Sequence, residues 1–177
     1  MVDHARLNCS ERAKSPFSRR CSLVTVAPCR PWAYALRLPH DPRAAHIARV
    51  TARAVLSSHG RRDVLDVVEL VVSELVTNAY LHTDGPASLR LTALDGGRLR
   101  VGVWDGDPYI PPPFREPSGA PTEPTGTVDA ERGRGLLLVR EYVDVWGGWP
   151  VGEEAFGRGG GKLLWCELGG KLPALLK

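Results

Sequence analysis

Glu74, Asn78 and His82 lie at i, i+4 and i+8 within Glu74-Leu75-Val76-Thr77-Asn78-Ala79-Tyr80-Leu81-His82. On a helix this spacing puts a carboxylate, a carboxamide and an imidazole in one band about two turns long. Asn offers Mg²⁺ a neutral carbonyl oxygen. Mg²⁺ is a hard cation that keeps several waters and shares phosphate oxygens with its protein ligands. A Glu one turn earlier can take a proton from a hydroxyl or water attacking a phosphate, and His82 can donate to a phosphate oxygen. The same residues fit a helix rim that only meets solvent.

Three further segments carry candidate chemistry. Trp104-Asp105-Gly106-Asp107-Pro108 ends a strand, where a carboxylate can accept a hydrogen bond from an exocyclic amine of the kind adenine carries. An ordinary Asp-Gly turn explains it as well. Arg132-Gly133-Arg134-Gly135-Leu136 opens a helix, so backbone N–H groups and two guanidiniums meet near one helix start. A plain loop-to-helix joint stays open there. The segment is neither a phosphate-binding P-loop nor a dinucleotide fingerprint, because GxxxxGK[ST] is absent and Leu138 breaks GxGxxG. Gly159-Gly160-Gly161-Lys162-Leu163-Leu164-Trp165 enters the last strand and reads equally as a glycine hinge.

The elements that must position these residues follow from periodicity. Trp32–Leu38 reads as an edge or half-buried strand. Asp41 and Pro42 read as the start of a helix to about Ser58 with Ile47, Val50, Ala54 and Val55 inward. Asp63 is the expected N-cap of the next helix, to about Leu81. Its wide stripe of Val64, Leu65, Val68, Val71, Val72, Leu75, Val76 and Ala79 suits a helix lying on a sheet. Strands Ala87–Leu94 and Arg98–Asp105 flank the turn Asp95-Gly96-Gly97. Residues 106–132 carry seven prolines and three glycines, so they read as a structureless lid over a site. Leu136–Tyr142 reads as a helix, Val143–Trp146 as a strand, Gly147–Gly161 as a glycine-rich turn and Lys162–Leu168 as the last strand. Strands and helices are segregated, which predicts an α+β class: a two-layer sandwich of a mostly antiparallel sheet with helices on one face.

Composition narrows the function classes. The chain has 177 residues, 43% apolar and 24% charged, as expected of one ordinary globular domain. Of its +3 net charge, residues 1–30 carry +4, from six Lys/Arg against two acids, and the rest −1; residues 1–30 read as a disordered basic tail. The domain is expected over 31–170, with 171–177 a C-terminal tail. Its near-neutral charge does not favour a nucleic-acid partner. No apolar run spans a membrane, and no secretory signal is apparent, so a cytoplasmic protein is expected. Cys9, Cys21, Cys29 and Cys166 lack zinc-ligand spacing and read as free thiols.

In order and spacing the four segments resemble the ATP-binding domain of the GHKL ATPases. More closely, they look like the bacterial anti-sigma-factor serine/threonine kinases and their actinobacterial single-domain relatives. ELVTNAYLH matches the family's N box, WDGDPYIPPP its first glycine box, ERGRGLLLVREYVDVWG its second, and GGGKLLWCEL its terminal strand motif. The resemblance covers roughly residues 32–168. It implies a Bergerat fold with ATP and Mg²⁺ as cofactors. Asn78 would be the Mg²⁺ ligand, Glu74 the general base and Asp105 the receiver of the adenine amine. Gly133 and Gly135 would line the phosphates, with Arg132 and Arg134 on the lid side and Leu136 next to them. Two residues depart from the pattern: Asp107 stands where a Gly is common and is expected to crowd or repel. Leu163 stands where a Thr is common and is expected to remove a hydroxyl from the adenine end. The expected function is phosphorylation of a small partner protein, an anti-sigma antagonist or a sigma factor. The alternative is an ATP-dependent module that sequesters such a regulator without catalysis. A homodimer is compatible with either.

Overall fold

The structure, a computed structural model, describes residues 31–115, 134–152 and 160–169. The expected basic tail, the C-terminal tail and most of the expected lid, with Arg132 and Gly133, lie outside the described residues.

Five strands form one antiparallel sheet: β1 Ala33–Leu38, β2 Ala87–Ala93, β3 Leu99–Asp105, β4 Val145–Val151 and β5 Gly161–Leu168. Their spatial order is β1-β2-β3-β5-β4, so the last strand enters between β3 and β4. Among the described residues, four helices accompany them: α1 Ala44–Ser58, α2 Leu65–His82, α3 Pro112–Arg115 and α4 Arg134–Tyr142. The α+β class therefore holds.

Alternation in the strands decides which face the helices cover. Leu89 and Leu91 of β2 pair with Val103 and Val101 of β3, which pair in turn with Leu164 and Cys166 of β5. These side chains are buried in one core with Val68, Val71, Val72, Leu75 and Val76 of α2. The wide apolar stripe of α2 has a physical reason: the helix packs on β2 and β3, on α1 and on α4 at once. Burial in that core pushes the Cys166 thiol far above its ordinary range, so this cysteine is an inert core residue.

Several local expectations are corrected. In α1 the buried residues are Ala44, Ala48, Ala52, Val55 and Leu56, whereas Ile47, Val50 and Ala54 are exposed. Small alanines at every fourth position let α1 approach α2 closely, so the bulkier side chains face out. Asp41 and Pro42 do not open this helix: it begins at Ala44 after Arg43, and Asp41 instead accepts the Arg43 N–H at 2.8 Å in the turn before it. Asp63 does not cap α2. It lies in a short 3-10 turn, Arg62–Val64, and pairs with Arg61, so α2 begins at Leu65.

The segment after β3 is not structureless throughout: Pro112–Arg115 makes one helical turn. Prolines at the first helical positions lose no hydrogen bond there, and the fully buried Phe114 anchors the turn. Gly147 and Gly148 belong to β4 rather than to a turn. A Cβ on Gly147 would lie 3.0 Å from the Trp165 indole, and one on Gly148 2.7 Å from Ile110. Glycine is present because both faces of β4 are covered closely at those positions.

Candidate nucleotide site

Helix α2 supplies the N-box residues along one line, successive members about 6 Å apart in helix rise. Glu74 and Asn78 are half-buried, and His82 is exposed on the last turn. Helix α4 crosses at the Glu74 end. A Cβ on Gly135 would lie 1.9 Å from Glu74 Oε2, so the Glu74 carboxylate packs against the first turn of α4. Arg134, exposed, begins that turn. Leu136, its next expected contact, buries its side chain in the hydrophobic core, leaving only its backbone N–H at the helix start.

Asn78 Oδ1 is buried and accepts no hydrogen bond from the described residues. A buried unpaired carbonyl oxygen costs free energy unless a ligand completes it. A hard, neutral oxygen in that state fits a Mg²⁺ ligand. Among the described residues no group of three or more His, Cys, Asp or Glu could hold a metal.

The other end is built by β3 and β5. Their register sets Asp105 opposite Lys162, both on the helix-covered face. Asp105 is 1% exposed and Lys162 0%. Lys162 Nζ donates to Asp105 Oδ1 at 3.0 Å and to Asp107 Oδ2 at 2.8 Å. Asp107 also donates its backbone N–H to Asp105 Oδ1 at 2.9 Å and accepts the Tyr109 N–H at 3.0 Å. Burial pushes the Asp105 carboxyl above its ordinary value, against the opposing pull of Lys162. Partial burial acts the same way on Asp107, but Lys162, the Tyr109 N–H and His82 together hold it below its ordinary value. His82 thus acts at the Asp107 side, away from the Glu74 end.

The charge of Asp107 does bear on Asp105, helping to raise its carboxyl. Asp107 also shares a cation with Asp105 and organises the loop. Leu163 points to the opposite face of β5, across from Trp104 and Trp149, so its lack of a hydroxyl does not bear on Asp105. The residue that does meet Asp105 is Lys162, which sequence reasoning passed over. Its only signal was a lone lysine directly before the apolar strand run Leu163-Leu164-Trp165-Cys166. Gly161 completes this end: a Cβ there would lie 2.1 Å from the Asp105 carbonyl oxygen.

A five-stranded antiparallel sheet with helices on one face, carrying an N-box helix, a glycine-opened helix and a buried strand-end Asp, defines an ATP-binding domain of the ATPase class. The chain belongs to the histidine kinase-like ATPase domain family, whose model matches residues 38–147. It is similar to an uncharacterized protein of Streptomyces coelicolor, 38% identical over 104 residues that cover 58% of this chain and 85% of that relative. No described helix is long and apolar enough to cross a membrane.

Proposed function

We propose that this chain is an ATP- and Mg²⁺-binding regulatory protein that phosphorylates a serine or threonine of a small partner protein. The observation that carries this is the joint at α2 and α4. Glu74 packs against Gly135 at the start of α4, one helical turn from the unpaired Asn78 oxygen. Glu74 would accept the proton of the attacking hydroxyl. The N-terminal N–H groups of α4, with Arg134 beside them, would face phosphate oxygens. Asn78 would hold Mg²⁺, which neutralises phosphate charge when bound. Asp105 would accept the adenine amine at the far end.

The partner would be a small regulator of the anti-sigma antagonist or sigma-factor kind, met in the cytoplasm. Leu137, Leu138 and Tyr142 are exposed apolar side chains on α4, the helix whose first turn forms the proposed phosphate end, and they would offer a partner an apolar surface.

Incubating the full chain with labelled ATP and candidate partner proteins tests the proposal. Label should reach a partner with wild type and not with Glu74→Ala. Transfer to no partner, with tight ATP binding and ATP-dependent capture of one unchanged in Glu74→Ala, would replace the kinase with a non-catalytic sequestering module.

A further inference from the structure

The ammonium of Lys162 is fully buried, and each of its three N–H donors has an acceptor in reach. These are Asp105 Oδ1 at 3.0 Å, Asp107 Oδ2 at 2.8 Å and, more loosely, the Asp107 carbonyl at 3.4 Å. A buried cation is costly unless paired this fully. The pairing also has a direction. Lys162 and the Asp107 N–H both engage the same oxygen of Asp105, which fixes the carboxylate's orientation from two sides. With its donors engaged, Lys162 offers a ligand no donor of its own.

Resting on the ATP reading above, we propose that Lys162 is the positioning residue that sets nucleobase selection, holding Asp105 as an oriented, ionised acceptor for an exocyclic amine. An ionised carboxylate only accepts hydrogen bonds, so it welcomes the adenine amine and repels the carbonyl that guanine presents there. A protonated carboxyl both donates and accepts, and tells the two bases apart less well. The charged and titratable groups bearing on Asp105 are Lys162 from β5 and Asp107 from the following loop, with His82 of α2 acting on Asp107. Burial and Asp107 favour the neutral form of Asp105, and Lys162 opposes both. Without Lys162 the balance moves toward protonation.

Calorimetric titration of the full chain with ATP and with GTP, repeated over a pH series, tests this. Lys162→Met should narrow the preference for ATP over GTP about tenfold, the size of a lost charge-assisted hydrogen bond. It should also move upward the pH below which ATP affinity falls, and Lys162→Arg should restore both in part. An unchanged preference and an unchanged pH midpoint in Lys162→Met, with wild type binding ATP, overturn the role of Lys162 alone. Wild type that binds no ATP overturns the ATP reading, and this inference with it. Where Lys162→Met does not fold, the ¹⁵N signal of the Lys162 ammonium in wild type decides. Its persistence on ATP binding supports the role, and its loss overturns it.

Discussion

The Glu74 carboxylate occupies the space where a side chain on Gly135 would begin: a Cβ there would sit 1.9 Å from Glu74 Oε2. The two residues are 61 positions apart in the chain. Their contact joins the central helix to the first turn of α4, so Gly135 serves Glu74 as much as any ligand. Gly135→Ala should leave stability within about 1 kcal/mol of wild type, since alanine favours a helix and the carboxylate end can swing aside. Phosphoryl transfer should fall because the carboxylate has moved. Thermal unfolding and transfer rate, measured on the same preparation, separate the two effects.

Replacing Glu74 by Gln keeps the shape and removes the base. Transfer to a partner should fall about 10²- to 10⁴-fold, the usual range for loss of a positioned general base. ATP affinity should stay within a few-fold of wild type. A parallel loss of affinity would assign Glu74 to binding instead.

Asn78→Ala removes a buried oxygen that has no hydrogen-bond partner among the described residues. Without ligand, stability should therefore be unchanged or slightly higher, because no protein hydrogen bond is lost. The gain in ATP affinity on adding Mg²⁺ should disappear, while affinity in chelator stays the same. Equal Mg²⁺ dependence in both proteins would remove Asn78 from the metal site.

Asp107 links stability to acid. Its folded pKa lies below the ordinary 3.8, so below that value the unfolded chain binds the extra proton. The stability it contributes is present above 3.8 and is lost as pH falls through the lower folded value. Asp105 works in the opposite sense: its folded pKa is raised, so its contribution is lost as pH rises through that value. Asp107→Asn should flatten the acid side of a plot of urea midpoint against pH. The acid limb staying as steep as in wild type would show that the loop does not depend on this carboxylate.

Gly161→Ala is expected to destabilise the fold by about 1–3 kcal/mol, a usual cost of overpacking. Its Cβ would meet a backbone oxygen of Asp105 at 2.1 Å, which cannot swing aside as a side chain can. Urea denaturation reads the loss directly.

Much of this architecture was legible residue by residue. The strands around Asp95-Gly96-Gly97, the two long helices and the last strand follow from periods of 2 and 3.6, which are local properties. Where the pattern misled, the cause was a neighbour distant in sequence. Ile47 and Val50 read as core, but α2 admits only the small Ala48 and Ala52 at the crossing. Gly147 and Gly148 read as a turn, but they make room for Trp165 and Ile110 within a strand.

The candidate site divides in the same way. The line of Glu74, Asn78 and His82 lies on a single helix, so its spacing alone fixes it, and the strand-end position of Asp105 is equally local. The sequence by itself therefore determined which groups could hold a metal, a proton and a base. Only the tertiary structure decided their company, because antiparallel register between β3 and β5 brings Lys162 to Asp105 across 57 residues. That pairing sets a shared cation between Asp105 and Asp107, whose charges otherwise oppose each other, and the same register places Leu163 on the other face. Charge in a buried place is set by what lies across the sheet, and no local pattern carries that.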